Sequence, residues 1–459
     1  MTFPRAVVFC LLASALASCN SSGSDECSTC TPQAVNLQGS VSGLVGFRLT
    51  LQNGSTALSI PLNGPDANGN QTFGMAAANS AYDITVKTQP TSPSQTCVVA
   101  NGMGTTGTGD VTNIQVTCTT NPPRFLYVVN RGSGDVSGYT IDPVAGGLTP
   151  IPGSPFAAGG NPVAIAVDSS GAYAYVVNQL SANISAFTID RTTGALTAAG
   201  AAPIGTGPSP TSVAIDPSSS LVYVTGGGSI GSISAYTITA GTGVLTAGAG
   251  SRIATGRQPS AVSVDPLGEF LYVSNQSDGT FSAFSISDSG TLTAAANSPY
   301  PCGASPQALA VDPTGNNLYV ANFAANTLTG INGLPPSASA PPGAIGGSPY
   351  STGISPAAIA VDVVGGTVYV ANQGGNSISG FKIGGAAGTL TPIAGSPFAA
   401  QSQPSAVVAD PTNLFVYAAN ANSNTVSAYT IDPKSGALTA QSASPFTTGS
   451  IPVAMAISD

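Results

Sequence analysis

The sequence predicts an all-β protein, and composition is the first of three observations behind that prediction. Gly (56) and Pro (36) are abundant among the 459 residues, whereas charged residues make up 6% and His and Trp are absent. Turn-forming and β-branched residues replace the Glu, Lys, Arg and Gln that commonly build helices. The hydrophobic fraction of 42% is too high for a disordered chain.

The second observation is an internal repeat marked by Tyr-Val-x-Asn, which departs from this form only at Gly226 and Ala418. Successive marker tyrosines are 48, 48, 49, 47, 50 and 48 residues apart. They are Tyr127, Tyr175, Tyr223, Tyr272, Tyr319, Tyr369 and Tyr417. An all-β unit of this length at a near-constant period is typical of a propeller blade. We therefore predict a seven-bladed β-propeller over residues 121–459.

The third observation concerns the two ends of the repeat array. The first copy starts at Arg124 and lacks the strand, of the form Pro-x-Ala-Ile-Ala-Val-Asp, that precedes the other copies. Residues 452–457 supply a strand of that form. We expect this C-terminal strand to complete the first blade and close the ring, so that no inner strand edge is left free.

The order of strands within a copy sorts the loops onto two faces of the disc. The second copy gives strands at 164–168, 174–177, 184–189 and 196–198. Turns after the Ala-Val-Asp strands then fall on one face, which we call the first face. The Gly-x-x-Pro segments and the loops after Tyr-Val-x-Asn fall on the opposite, second face.

Residues 32–120 predict a small immunoglobulin-like β-domain that precedes the propeller. Short strands are predicted at 47–51, 81–86 and 111–119, with Asn-Gly turns between such segments. Cys97 and Cys118 lie in this domain, and we expect them to form a disulfide in an oxidising compartment.

The N-terminus predicts export. Arg5 precedes an apolar stretch at 6–16 that is too short to span a bilayer, which is typical of a signal peptide over residues 1–18. Leu16-Ala-Ser-Cys19 resembles the lipobox of bacterial lipoproteins, and this resemblance implies cleavage before Cys19 and lipid attachment to it. The alternative is an ordinary signal peptide followed by an incidental cysteine.

Residues 19–31 are small and polar, as expected of a flexible tether. Asn20 follows Cys19 in place of an aspartate, and this favours the outer membrane within a lipid-anchored cell-envelope location. Cys27 and Cys30 form a C-x-x-C pair, for which a local disulfide or mixed thiol is the alternative to a zinc site. Cys302 is expected to be a small buried residue.

Charge limits the possible partners. A net charge of −9 provides no basic stripe to displace counterions from phosphates, so no nucleic-acid partner is expected. The expected contact with a membrane is through the N-terminal lipid. No cofactor and no metal site are predicted.

The Tyr-Val-x-Asn markers and the Ala-Val-Asp-Pro turns together resemble the YVTN-repeat and lactonase-type seven-bladed propellers, which include 6-phosphogluconolactonase-like enzymes. The resemblance covers about residues 121–459. It implies the propeller fold, and its motifs are structural parts of each blade.

Lactone hydrolysis requires a base that activates water and a positive group that stabilises the oxyanion. Without histidine the base must be a carboxylate. Glu269 falls on the first face and Arg257 on the second, so they are not expected to share a site. The weak catalytic candidates are Arg131, Asp135, Arg257 and Asp278, expected in the mouth of the central channel on the second face. Their alternative role is solvated loop charge.

Two sets of repeated polar residues have structural explanations as well as functional ones. The marker asparagines could form a ligand ring, but Asn at a strand end commonly bonds turn backbone groups. A set of aspartates could form a calcium-binding rim or could initiate Asp-Pro turns. These aspartates are Asp168, Asp216, Asp265, Asp312, Asp362 and Asp410.

The sequence thus leaves two hypotheses for function, and whether the protein is an enzyme stays open. In the first, a lipid-anchored propeller acts as a surface scaffold or binding module for a glycan or a protein. In the second, the propeller is a divergent lactonase that resembles 6-phosphogluconolactonase.

Overall fold

The computed structural model describes residues 33–458 except 47, 61–70, 91–94, 122–123, 201, 219, 228–229, 249–251, 288, 337–340, 363–365 and 386. The predicted signal peptide and tether, with Cys19, Cys27 and Cys30, lie outside the described residues. Throughout the described part the regular structure is β-strand, and none of it forms an apolar helix of membrane-spanning length.

The N-terminal domain consists of two four-stranded sheets. One sheet has the order Gln71–Ala77, Ala34–Ser42, Val111–Thr120 and Gln95–Ala100. The other has the order Thr56–Ser59, Thr50–Asn53, Ala81–Thr88 and Met103–Thr105. Leu37 and Ile114 of the first sheet share one buried core with Leu51 and Ile84 of the second, so the domain is a sandwich.

A disulfide joins Cys97 to Cys118, which lie directly opposite each other on neighbouring antiparallel strands. Both sulfur-bearing side chains are buried in the sandwich core, with exposures of 2% and 5%. The bond therefore fixes the edge strand Gln95–Ala100 to its neighbour Val111–Thr120.

The rest of the chain forms seven blades, numbered by their marker tyrosines from Tyr127 to Tyr417. Each blade has an inner, a second, a third and an outer strand, and a two-residue strand that also pairs with the third. The inner strands of blades 2–7 are Pro162–Val167, Pro210–Ile215, Pro259–Val264, Pro306–Val311, Pro356–Val361 and Pro404–Ala409. The second strands of blades 1–7 are Phe125–Asn130, Tyr173–Asn178, Leu221–Gly226, Phe270–Asn275, Asn317–Asn322, Thr367–Asn372 and Phe415–Asn420.

The remaining strands lie toward the rim. The third strands are Asp135–Ile141, Asn183–Ile189, Ser232–Ile238, Thr280–Ile286, Thr327–Asn332, Ser377–Gly384 and Thr425–Ile431. The outer strands are Leu148–Pro150, Leu196–Ala198, Leu245–Ala247, Leu292–Ala294, Gly343–Ala344, Thr389–Pro392 and Leu438–Ala440. The two-residue strands are Phe156–Ala157, Ile204–Gly205, Ile253–Ala254, Tyr300–Pro301, Tyr350–Ser351, Phe398–Ala399 and Phe446–Thr447.

The inner strand of blade 1 comes from the C-terminus. Pro452–Ser458 pairs antiparallel with Phe125–Asn130, in a register that places Ser458 opposite Phe125. The inner strands contact one another in sequence around the ring, and Pro452–Ser458 contacts the inner strands of blades 2 and 7. The predicted seven-bladed propeller closed by the C-terminal strand is thus confirmed.

Hydrophobic cores lie between neighbouring blades. One such core joins Tyr369 and Ile393 of blade 6 to Val416 and Tyr429 of blade 7. Cys302 is buried in the core between blades 4 and 5, as expected, and burial raises the pKa of its thiol to about 12. The thiol therefore stays protonated and unreactive at neutral pH.

Five of the marker tyrosines connect blade to blade through hydrogen bonds between described residues. The Tyr369 hydroxyl donates to the carbonyl oxygen of Gly436 in blade 7 at 2.7 Å, and Tyr417 donates to Gly146 of blade 1 at 2.9 Å. Tyr127, Tyr175 and Tyr319 make the same bond to Gly194, Gly243 and Gly388 of the following blade.

Each accepting glycine lies in the turn between the third and outer strands. Gly146 shows why the position is glycine, because its φ is +70° and an added Cβ would lie 2.3 Å from a ring carbon of Phe415. The close approach of this turn to the preceding blade is what places its carbonyl within reach of the tyrosine.

These bonds generate a prediction with an internal control. Tyr369→Phe should lower the free energy of unfolding by about 1–3 kcal/mol, because the Gly436 carbonyl would lose its buried donor. The hydroxyl of Tyr223 is equally buried and has no hydrogen-bond partner among the described residues, so Tyr223→Phe should cause no loss. Urea denaturation of both variants measures the difference, and equal losses would show that these hydroxyl bonds do not stabilise the ring.

Candidate functional site

The seven inner strands enclose a channel along the axis of the propeller, and a cavity lies at each end. Each strand begins at a proline on the second face and ends on the first face, beside an aspartate in blades 2–7 and at Ser458 in blade 1. The second-face cavity has a volume of about 950 Å³ and the first-face cavity about 400 Å³. We call them the second-face pocket and the first-face cavity.

Amide and hydroxyl side chains dominate the polar lining of the second-face pocket. The amides belong to Gln179, Gln258, Gln276, Gln307 and Gln373. The hydroxyls belong to Ser209, Thr211, Ser212, Ser260 and Ser405. Among the described residues of this lining Arg131 alone is charged, and Phe323 adds an aromatic ring. The pocket therefore offers many neutral donors and acceptors around one cation.

Two positions of the repeat supply most of these side chains. The residue directly after the marker sequence contributes Arg131, Gln179, Gln276, Phe323 and Gln373. The residue after the first proline of an inner strand contributes Thr211, Ser260, Gln307 and Ser405. Both positions are on the second face, and both differ between copies while the flanking markers stay nearly constant.

Hydrogen bonds orient four of the amides. The Gln276 Nε2 donates to Gln307 Oε1 at 2.5 Å, and Asn161 Nδ2 donates to Gln179 Oε1 at 2.9 Å. The Ser277 hydroxyl donates to Gln258 Oε1. Since these bonds use the amide oxygens of Gln179, Gln258 and Gln307, the Nε2 groups of those three side chains can still donate to a ligand.

The structure separates the four catalytic candidates. Arg131 lines the second-face pocket, but Asp135, Arg257 and Asp278 do not belong to its lining. Asp135 is the first residue of a third strand, farther from the axis than the inner and second strands, and its Oδ1 accepts a bond from Asn130 Nδ2 at 2.7 Å. The expectation that all four lie in the channel mouth therefore holds for Arg131 alone.

Arg257 and Asp278 are brought together at the edge of the second face. The Arg257 Nε lies 2.6 Å from Asp278 Oδ1, and the Arg257 backbone N–H donates to Asp278 Oδ2 at 2.7 Å. These bonds hold the pKa of the Asp278 carboxyl below its ordinary value. The Arg257 side chain is 66% exposed, so the pair is a surface ion pair.

The marker asparagines act within their own blades. Asn372 Oδ1 accepts the backbone N–H of Gly353 at 3.1 Å, and its Nδ2 donates to the hydroxyls of Ser377 and Ser379. Asn178 and Asn275 make the corresponding bonds to Gly159 and Gly256. All are fully buried, so the geometry supports the structural interpretation over a ring of ligands.

The repeated aspartates of the first face are likewise used by their own turns. Asp168 Oδ1 accepts the backbone N–H groups of Ala172 and Tyr173 at 2.8 and 2.6 Å, and Asp410 Oδ1 accepts those of Leu414 and Phe415. Burial raises the pKa values of Asp265 and Asp410 despite such bonds. Within the described residues no cluster of His, Cys, Asp and Glu suits a metal ion.

A model of the family described as "Lactonase, 7-bladed beta-propeller" matches residues 86–215, 202–296, 246–332 and 338–455, which is more than half of the chain. The protein belongs to this lactonase propeller family. No curated protein sequence matches it significantly.

The fold of this lactonase propeller is similar to those of several solved structures. A protein of Bacteroides fragilis, provisionally assigned as a 6-phosphogluconolactonase, has a TM-score of 0.62 at 18% identity, over 74% of this chain and 99% of that chain. The periplasmic gluconolactonase of Pseudomonas aeruginosa has a TM-score of 0.60 at 17% identity, over 73% and 99%. A Lactobacillus plantarum protein has a TM-score of 0.59 at 22% identity, over 74% and 100%. At these identities the likeness shows the fold alone.

The turns of the lactonase propeller generate a prediction about calcium. Because backbone N–H groups already occupy carboxylate oxygens of Asp168 and Asp410, millimolar calcium should leave the unfolding temperature unchanged relative to EDTA. Scanning calorimetry of the full chain measures this. A rim that bound calcium in the folded state would raise the unfolding temperature by several degrees.

Proposed function

We propose that this lactonase-family propeller binds a lactone in the second-face pocket and hydrolyses it. The observation that carries the proposal is the family match combined with a pocket in which Arg131 is the one charged residue of the described lining. The names of the B. fragilis and P. aeruginosa proteins, which refer to lactonases of sugar acids, favour the same class of substrate.

The pocket has groups suited to a lactone ring. The ring oxygen and the hydroxyl oxygens of a sugar lactone can accept bonds from the glutamine amides, and its hydroxyl groups can donate to hydroxyl oxygens such as those of Ser260 and Ser405. When water adds to the carbonyl carbon, the carbonyl oxygen becomes negative, and the guanidinium of Arg131 would stabilise that charge. The bond from the carbonyl carbon to the ring oxygen then breaks, the ring oxygen takes a proton, and a hydroxy acid leaves.

The residues that line the second-face pocket also limit the expected rate of hydrolysis. Among the described residues that line the pocket, none has a carboxylate that could take a proton from the attacking water. General-base catalysis commonly contributes about 10²–10⁴-fold, so modest turnover of reactive lactones is expected. With hydroxide as the attacking species, kcat/KM should rise with pH and show no plateau from a carboxylate.

The lack of a carboxylate in the described part of the pocket lining also favours a second candidate function. A pocket rich in neutral amides and hydroxyls suits a glycan, so the propeller could be a non-catalytic surface binding module for a glycan or protein partner. Turnover separates this candidate from the first.

The test of hydrolysis uses two matched arginine variants. Acid release from glucono-δ-lactone and 6-phosphogluconolactone is measured for the full mature chain against the spontaneous rate. Arg131→Gln should lower kcat/KM by about 10²-fold, as expected when an oxyanion donor is removed. Arg257→Gln should leave it unchanged, because Arg257 is paired at the surface.

Three results would contradict the proposal. Rates equal to buffer across the panel would favour the binding module. Equal effects of the two arginine variants would exclude Arg131 as a specific contributor. A plateau of kcat/KM at acid pH would indicate a carboxylate base that the second-face pocket does not provide.

We also propose that the protein is anchored to the cell envelope, and to the outer membrane in particular, by a lipid on Cys19. The motivation is the segment from Leu16 to Cys19, which resembles a lipobox. Cys19→Ala should move the protein from the membrane pellet to the soluble fraction when cells are fractionated. A variant that stays in the pellet, with Cys27→Ala as the matched control, would contradict lipid anchoring.

A further inference from the structure

The two cavities of the propeller border the same seven inner strands, at opposite ends. Each of these strands contributes residues to the second-face pocket and to the first-face cavity. A six-residue strand spans roughly 17 Å at about 3.3 Å per residue. This length is the distance that a ligand in the second-face pocket would have to extend along the axis to reach the first-face cavity.

The first-face end of the channel is walled by aliphatic side chains. One residue from each inner strand, always directly before the turn, contributes to this wall. We call the set the aliphatic collar: Val167, Ile215, Val264, Val311, Val361, Ala409 and Ile457. All of them are partly exposed. Clustered apolar surface around an open cavity is typical of a site for an apolar ligand.

The aspartates next to the collar expose little of their surface. Asp168, Asp216, Asp265, Asp312 and Asp410 are at most 6% exposed. The carboxylates of Asp168 and Asp410 face the backbone N–H groups of their own turns. The collar side chains therefore contribute methyl groups to a cavity whose surface is more apolar than polar.

Between pocket and collar the channel has a waist of small side chains. The residues one position before the collar are Ala166, Ala214, Ser263, Ala310, Ala360, Val408 and Ala456. All but Ala360 are partly exposed. Since neighbouring strands cover the inner strands on both sides, this exposed surface faces the axis. Their partial exposure shows that the channel is open to water at this level.

We propose that the channel takes the aliphatic chain of an acyl-substituted lactone whose ring lies in the second-face pocket. This inference rests on the proposed lactone hydrolysis and names its substrate class. The polar ring contacts the amides and Arg131, while the chain passes the waist and ends among the collar side chains. The chain thus replaces water beside seven aliphatic groups.

The test measures hydrolysis of a series of α-amino-γ-butyrolactones whose amino group carries a butanoyl, octanoyl or dodecanoyl chain. Glucono-δ-lactone serves as the substrate without a chain. KM should fall by about three- to fourfold for each methylene that leaves water, up to the chain length that fills the collar. The kcat should change little, because the chain is remote from the reacting carbonyl.

A collar variant tests the location. The double variant Val264→Thr/Val311→Thr keeps side-chain shape but adds hydroxyls, and it should abolish most of the gain from long chains while sparing glucono-δ-lactone. Val144→Thr is the matched control, because Val144 is 87% exposed and lies in a turn outside the cavity lining. Retained turnover of glucono-δ-lactone shows that the double variant is folded.

The outcomes separate this inference from the proposed function. Turnover of glucono-δ-lactone with KM independent of chain length would overturn the channel proposal and leave lactone hydrolysis standing. Absence of all turnover, with calorimetric binding that tightens with chain length and weakens in the collar variant, would overturn hydrolysis and support the channel. Neither turnover nor chain-dependent binding would overturn both.

Discussion

The ring depends on a buried hydrogen bond that crosses from one blade to the next. A marker tyrosine of a second strand donates to a glycine carbonyl in the following blade, as Tyr127 does to Gly194 and Tyr417 does to Gly146. A single blade would leave both the hydroxyl and the apolar sheet surface beside it without partners. Each repeat unit therefore contains groups that bind the next unit, and in a ring of seven units the last blade binds the first.

This frame explains why the functional positions vary. Asn372 and its equivalents tie the end of the second strand to its own blade, so the next residue on the second face is held in place by bonds that do not involve its side chain. That residue can be Arg131 in one blade and Gln373 in another without cost to the fold. A propeller of this kind can keep its fold while the residues that line its pocket change. Membership of a lactonase family therefore defines the fold but does not by itself define the reaction.

The sequence predicted the parts of the structure that repeat. The tyrosine spacing gave the number of blades, and the Pro452–Ser458 strand was predicted to complete blade 1 because it matches the strand that the first copy lacks. The glutamines of the second-face pocket were not predicted, because an amide in a loop has no motif of its own; a comparison of the position after each marker among the seven copies would have found them. The sequence also placed Arg257 and Asp278 on the correct face, but it gave no sign that they neutralise each other across 21 positions.

The closing strand affects the order in which the blades can be completed during folding. Asn130 of blade 1 contacts Thr448, 318 positions later, immediately before the strand that completes the same sheet. Until Pro452–Ser458 pairs with it, Phe125–Asn130 has an unpaired strand edge while the six other blades form. An open edge of this kind favours pairing with other chains. The interval between the folding of the first blade and the pairing of this last strand is therefore a period in which the chain is exposed to aggregation.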